Sequence, residues 1–256
     1  LVDFLHQRYM SADDLRTEGE WLAQRSVLMG RVQAQMGTIT PGQADAVLAA
    51  QLPVTGWVPV QRMVLDFARN RCADAVTRVS DGMRAHLRQT IAAQVEQAAL
   101  AGRPVWSTEL QTRLQDGYAI QNRDWRRVAL TESTEALNQG FIASQEPGQR
   151  LKRVEQYRGV CAWCAKIDGK VFEVVEPGAE DKDGDTQVWV GKTNVGRSAA
   201  PRKRVGDLLV EREPQERYWV SAGAQHPNCR GRWVPVITDQ PGDDVEFGDW
   251  LRATLQ

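Results

Sequence analysis

Apolar residues in the first half of the chain recur three or four positions apart, the spacing that places side chains on one face of an α-helix. One such stripe runs from Trp21 to Met36, and Gly37 predicts its end. A longer one runs from Val60 to Leu100. Only one face of this long helix is apolar, so a long partner must cover it. A bundle within this chain is the favoured arrangement, and an intermolecular coil is the alternative. The apolar positions are Cys72, Val76, Val79, Met83, Leu87, Ile91 and Val95.

Shorter helices are expected on either side of the long one. A short helix is predicted from Ala44 to Leu52, between segments rich in proline and glycine. Another begins after Ser107, and a further helix runs from Asp124 to Ala143. In this last helix, Arg127 and Glu132 are expected to form solvated or intramolecular ion pairs, with a catalytic fragment as the alternative.

The pattern changes to a period of two after residue 147, which is typical of half-buried strands. Strands are expected at 151–157 and 170–175, with Asp168-Gly169 as a turn signal between them, and a last strand at 232–237. Residues 176–216 are rich in Gly, Asp, Pro and Arg, which indicates a long excursion or a mobile loop.

Composition excludes several classes of protein. The chain has 256 residues, 42% of them hydrophobic, and a formal net charge of -1. Such a charge gives no overall field that favours nucleic acid or an anionic membrane. No apolar run approaches the roughly 20 residues that cross a bilayer, so we expect no membrane partner.

Two short motifs carry the candidate chemistry. Cys161-Ala-Trp-Cys164 supplies one pair of metal ligands and His226-Pro-Asn-Cys229 supplies another, each with two residues between its members. This spacing lets a tight turn point two side chains at one ion, and three thiolates with one imidazole are typical of a closed, structural Zn2+ site. A closed site has no open position for water, so it stabilises a fold rather than hydrolysing a substrate.

Three other interpretations of these cysteines remain. Cys-x-x-Cys is also a redox motif, although no βαβ pattern accompanies it here. Disulfides are the second alternative, although four cysteines in 256 residues are few for a disulfide-rich chain. Unrelated buried thiols are the third. Cys72 lies on an apolar helix face and is expected in the core.

Together these patterns predict an α+β chain. A mainly helical region with long helices, residues 1–105, comes first. A small β-rich, zinc-stapled module follows at 106–240, and residues 241–256 form a C-terminal tail.

The second half of the chain resembles the Mu F-like minor head, or head morphogenesis, proteins of tailed bacteriophages. The resemblance covers roughly residues 107–237, and its most specific part is the His-Pro-Asn-Cys-Arg ending. The family pattern usually ends Cys-Arg-Cys, whereas Gly231 stands at the last position here. The matching segments are Arg127-Val-Ala-Leu-Thr-Glu132, Asn138-Gln-Gly140, Cys161-Ala-Trp-Cys164 with Asp168-Gly169, and His226-Pro-Asn-Cys229-Arg230 followed by Pro235.

The resemblance implies a non-enzymatic virion protein present in few copies at the portal vertex of the capsid. Such a protein assembles in the cytoplasm of the host bacterium and acts in head assembly or genome delivery. Its expected partners are the portal protein, the major capsid protein or both, and packaged DNA is an open candidate. Two rivals remain: an enzyme or toxin-like effector, such as a nuclease or an ADP-ribosyltransferase, and a zinc-stabilised DNA-binding module.

Overall fold

The computed structural model describes residues 12–37, 46, 57–100 and 108–236, and it confirms the predicted α+β fold. Three long helices come first: α1 (Ala12–Met36), α2 (Pro59–Leu100) and α3 (Thr108–Ile142). The smaller elements follow in the order β1 (Arg150–Val154), α4 (Ala162–Ile167), β2 (Val171–Val174), β3 (Gln187–Val188), β4 (Arg202–Val205), β5 (Leu208–Glu211), a 3-10 turn (Pro214–Glu216) and β6 (Arg232–Pro235).

The three long helices pack against one another as a bundle. Much of the apolar face of α2 is covered within the chain, since Cys72, Val76 and Leu87 are buried there and Val79, Met83 and Ile91 are half-buried. The expected intramolecular bundle and the core position of Cys72 are therefore confirmed. The stripe on α1 is only partly buried, because Trp21 and Met36 at its ends are exposed.

Helices α1 and α3 approach so closely that their backbones touch. A Cβ atom on Gly30 would lie 2.0 Å from the carbonyl oxygen of Leu137. A Cβ atom on Gly140 would lie 2.5 Å from the carbonyl oxygen of Val27. Only glycine fits at both positions, and this close crossing fixes where α3 presents its other faces.

Helix α3 is continuous, whereas two separate helices were predicted from Ser107 and from Asp124. No proline interrupts its sequence. Gly117 lowers helix propensity by about 1 kcal/mol without blocking the backbone hydrogen bonds, so packing against the bundle overrides it. The predicted short helix at 44–52 lies outside the described residues except at position 46.

A four-stranded sheet follows the bundle, with the strand order β3-β2-β1-β6. Strand β1 is antiparallel to both β2 and β6, and β2 is parallel to β3. Leu151, Phe172 and Trp233 point from this sheet into the same apolar core that the bundle fills. The strands expected at 151–157, 170–175 and 232–237 are present, each shorter than predicted.

The segment 176–216 is more ordered than the expected loop. It supplies β3 to the sheet and forms a separate two-stranded hairpin from β4 and β5. The segment also contains Lys192, whose buried ammonium group donates to the carbonyl oxygens of Gly184 and Gln187 at 2.7 Å each. Its Nζ atom lies 5.1 Å from the ring centre of Phe172, 4.8 Å from that of Trp189 and 5.0 Å from that of Trp219.

The domain boundaries at residues 105 and 240 stay predictions. Helix α3 contacts α1 and α2 within the bundle and also β6, so it joins the bundle to the sheet. The predicted tail at 241–256 lies outside the described residues. Among the residues that the structure describes, no helix combines the length and apolar character needed to span a bilayer.

Candidate metal centre

The first pair of candidate ligands lies at the start of the short helix α4. Cys161 is the N-cap residue of this helix, with an extended backbone, and its sulfur accepts a hydrogen bond from the backbone N–H of Cys164 at 3.5 Å. The helical turn brings the Cys164 side chain back beside that of Cys161. Asp168 and Gly169 end the helix, and Gly169 adopts a positive φ of 79°, so the predicted turn is confirmed. The Cys-x-x-Cys spacing thus positions two sulfurs through purely local structure.

The second pair lies on a tight turn before β6. The backbone N–H of Cys229 donates to the carbonyl oxygen of His226 at 3.1 Å, which closes the turn. Asn228 adopts a positive φ of 66°, a conformation that asparagine tolerates better than most residues. Its backbone N–H donates to the hydroxyl of Thr131 on α3 at 3.0 Å. The turn is therefore held against the helical bundle.

His226 faces both cysteines of the first pair. Its Nε2 atom lies 3.1 Å from the sulfur of Cys161 and 3.2 Å from that of Cys164. Its Nδ1 atom lies 2.8 Å from the Pro227 carbonyl oxygen, which can only accept a hydrogen bond. The Nδ1 atom therefore carries a proton, and the lone pair of Nε2 is directed at the sulfurs once that atom is deprotonated.

These distances fit the donor set of a tetrahedral metal ion. With Zn–S near 2.3 Å and Zn–N near 2.0 Å, nitrogen and sulfur ligands lie about 3.5 Å apart, a few tenths of an ångström more than the separations seen here. A small outward movement of three side chains would accommodate the ion. The residues present thus form a cluster able to bind a metal such as zinc.

The sulfur of Cys229 lies close to that of Cys164, and not to the ligand nitrogen of His226. The ligand atoms of Cys161, Cys164 and His226 all lie within 4.8 Å of one another. Cys229 belongs to a second group within the same limit, formed with Cys164 and Glu155. The structure therefore brings all four predicted ligands to one region, in two overlapping groups that share Cys164.

Glu155 is the residue that sequence reasoning missed. A Cβ atom on Gly231 would lie 2.1–2.4 Å from the atoms of the Glu155 carboxyl group, so this carboxylate fills the space beside position 231. Its Oε1 atom accepts from Nε of Arg153 at 2.7 Å, and the side chains of both residues are fully buried. Arg153 Nη2 in turn lies 3.6 Å from the sulfur of Cys229. The glycine at 231 was the available signal, because it leaves room for a side chain from another segment, here the residue that follows β1.

The surroundings of the three cysteines shift their pKa values in different directions. A hydrogen bond with Cys164 lowers the pKa of Cys229, and the charge of Arg153 adds to this lowering against burial. The same hydrogen bond, together with burial, raises the pKa of Cys164. Burial disfavours the thiolate of Cys161, but hydrogen bonds from the Cys164 backbone and side chain outweigh it and lower its pKa. Metal binding requires thiolates, so an ion bound here would displace the proton that the raised pKa of Cys164 retains.

A row of polar residues on α3 positions the second ligand pair. The Glu135 carboxylate accepts from the backbone N–H of Ala224 at 2.7 Å, and the Asn138 amide donates to the carbonyl oxygen of Gly231 at 2.8 Å. With Thr131, these residues lie four and three positions apart, on one face of the helix.

Of the ion pairs expected from Arg127 and Glu132, Glu132 pairs with Arg71 at 2.6 Å, and Arg127 lies 3.6 Å from Asp124.

The chain thus combines a helical bundle with a small β-sheet and a Cys/His cluster able to hold a metal ion. Comparison of the chain with protein-family models, with curated proteins and with solved structures finds no match. What the site does is therefore inferred from its own geometry.

Proposed function

We propose that the cluster binds a structural zinc ion through Cys161, Cys164, His226 and Cys229, and that this ion clamps the small sheet to the bundle. The observation that carries the proposal is the position of His226, whose Nε2 atom faces two sulfurs at 3.1 and 3.2 Å while Nδ1 is bound to a carbonyl. Four such donors leave no open position, so the bound ion would supply stability rather than an activated water.

Elemental analysis of the purified, reduced chain tests this proposal. One zinc per chain is expected, and it should be lost in a Cys161→Ser, Cys164→Ser variant together with thermal stability. Cys72→Ala is the matched control, because Cys72 is buried in the bundle and should leave the metal content unchanged. Absence of metal from the freshly reduced protein would refute the clamp.

The fourth ligand needs a separate experiment, because both Cys229 and Glu155 lie beside Cys164. Replacing zinc with Co2+ gives absorption bands from each thiolate–cobalt bond. Cys229→Ser should weaken these bands if Cys229 is a ligand, whereas Glu155→Gln should leave them unchanged. Bands that Cys229→Ser leaves unchanged would exclude this thiolate and assign the fourth position to the carboxylate of Glu155.

We further propose that the chain is a non-enzymatic minor head protein of a tailed phage that binds the portal or capsid through its helices. The support is an exposed apolar pair at the start of α2, where Met63 and Phe67 lie four residues apart and are 48% and 38% exposed. Val58 nearby is 48% exposed as well. Such spacing is that of anchor residues on a helix that lies in a groove of a partner.

Copurification with the portal protein of the same phage tests this contact. A Met63→Gln, Phe67→Gln variant should lose capture without a change in thermal stability, since both side chains are already exposed. Ile120→Gln, which changes an equally exposed apolar residue on α3, is the matched control. Failure of the unaltered chain to bind either the portal or the major capsid protein would overturn the assignment.

The rival interpretation, an enzyme or toxin-like effector, draws support from a cleft beside the cluster in which ionisable groups converge. Glu132 and Glu135 line it, but Glu132 is bound to Arg71 and Glu135 to the Ala224 N–H. Turnover of a nucleotide or nucleic acid that disappears in a Glu132→Gln variant would favour this interpretation over a structural role.

A further inference from the structure

A cleft of about 500 Å³ lies between the bundle and the metal cluster. One wall comes from α2 and α3, and the other from residues 193–195, 218 and 224–227 of the small module. A volume of this size is typical of a small-molecule site. The cleft adjoins the metal cluster and shares His226 with it.

The bundle wall is cationic. Arg71, Arg78 and Arg127 all line it. Arg71 uses its Nε atom to bind Glu132, so the terminal nitrogens of its guanidinium remain for other acceptors. Arg78 and Arg127 are exposed at the same wall.

The two carboxylates in the cleft are already satisfied within the protein. Glu132 accepts from Arg71 at 2.6 Å. Glu135 accepts from the Ala224 N–H at 2.7 Å and from the Gln139 amide at 3.0 Å. Arg127 also pairs with Asp124 at 3.6 Å, but a guanidinium group has five N–H donors, so the exposed Arg78 and Arg127 keep donors for an anionic group such as a phosphate.

The module wall has a different character. Tyr218 lines it, and the edge of Trp163 fixes the tyrosine ring, with the ring centres 5.7 Å apart and the planes at 70°. Val195, which also lines the cleft, is 71% exposed. An aromatic ring with an apolar neighbour provides a surface on which a nucleobase can stack.

We propose that this cleft binds a nucleoside phosphate, with the phosphate held by the arginines of the bundle and the base lying against Tyr218. The same chemistry is offered by a free mononucleotide and by one nucleotide of a single strand. The site is independent of the portal contact proposed above, and it requires no turnover.

Isothermal titration calorimetry on the metal-loaded full chain tests the site with four probes: adenosine monophosphate, adenosine, inorganic phosphate and a short single-stranded oligodeoxynucleotide. The mononucleotide should bind more tightly than adenosine or phosphate alone. Equal affinity for the mononucleotide and the oligonucleotide would assign a free nucleotide. Tighter oligonucleotide binding that weakens with salt would assign a nucleic-acid strand.

Three variants connect the binding to the proposed residues. Arg78→Gln and Arg127→Gln should each weaken mononucleotide binding about ten-fold, the effect of losing one charge-assisted hydrogen bond. Arg126→Gln is the matched control, since this exposed arginine adjoins Arg127 but does not line the cleft. Tyr218→Leu should weaken binding of the mononucleotide and not that of phosphate.

Several outcomes would overturn the proposal. These are no binding of the mononucleotide at millimolar concentration, affinities that the Arg78 and Arg127 variants leave unchanged, and phosphate binding as tight as that of the mononucleotide. An acidic peptide that competes with the mononucleotide and binds more tightly would do the same. Unchanged thermal unfolding of all variants will show that any loss of binding is local.

Discussion

The crossing of α1 and α3 predicts that an alanine at Gly30 destabilises the protein, which is the reverse of the usual effect. Glycine in a helix interior costs about 1 kcal/mol relative to alanine, so Gly→Ala ordinarily stabilises. At Gly30, however, the added Cβ atom would lie 2.0 Å from the carbonyl oxygen of Leu137 and 2.8 Å from the backbone N of Phe141.

The size of the effect follows from these distances. An ordinary contact of a Cβ atom begins at 3.4 Å, so the helices would have to separate by about 1.4 Å at Gly30. The obstructing atoms belong to the backbone and cannot move to another rotamer. Overpacking costs about 1–3 kcal/mol even where side chains can adjust. We therefore expect Gly30→Ala to lower the free energy of unfolding by about 2 kcal/mol or more, after the gain in helix propensity.

Chemical denaturation monitored by circular dichroism measures this change, and Gly82→Ala is the internal control. Gly82 also lies inside a long helix, but a Cβ atom there would meet nothing within 4 Å. This control should gain up to about 1 kcal/mol, so the two variants should change stability in opposite directions. If Gly30→Ala were as stable as Gly82→Ala, the close backbone contact between α1 and α3 would be refuted.

Three further predictions concern buried charged groups. Burial lowers the pKa of Lys192 from 10.5 to about 7, so between these values the unfolded chain binds more protons and stability rises with pH. The free energy of unfolding should rise by about 4 kcal/mol across this interval, as measured by urea unfolding at several pH values. Lys192→Met should remove this rise. Lys170→Met, which changes an exposed lysine, should leave it in place. Glu135→Gln should cost about 1–3 kcal/mol in the same assay, because the two oxygens of Glu135 accept from the Ala224 N–H and the Gln139 amide and an amide nitrogen can accept from neither. Equal stability would contradict these contacts. Glu155→Gln should cost about 3 kcal/mol, because Arg153 loses its buried counter-charge. Arg69→Gln at the exposed Arg69–Glu20 pair is the control and should cost less. A larger cost for the control would contradict the buried Arg153–Glu155 pair.

The features that the sequence could predict are those set by residues close together along the chain. The helical stripes and the Cys161–Cys164 turn depend on neighbours within one or two turns, so periodicity and spacing reveal them. The pairing of the two half-sites was also predictable, because their residue types fit one ion. The continuity of α3 was not, since its support comes from packing against α1 and α2 rather than from local propensity.

The contacts that sequence reasoning missed join distant parts of the chain. Arg71 and Glu132 are 61 residues apart, and no local pattern marks them as a pair. The polar composition of 176–216 concealed the surroundings of Lys192, because the aromatic rings around its charge come from separate segments. Glu155 lies near Cys229 only because β1 and β6 are paired in the sheet.

The two half-sites of the metal cluster are positioned by different parts of the molecule. Cys161 and Cys164 are placed locally by α4, which connects two strands of the sheet. The turn that carries His226 and Cys229 is placed by α3, through polar side chains four and three residues apart. A metal ion bound by both pairs would therefore join the sheet to the bundle and would fix the two walls of the arginine-lined cleft relative to each other. Loss of the metal should thus weaken nucleotide binding even though no proposed contact to the nucleotide involves a metal ligand.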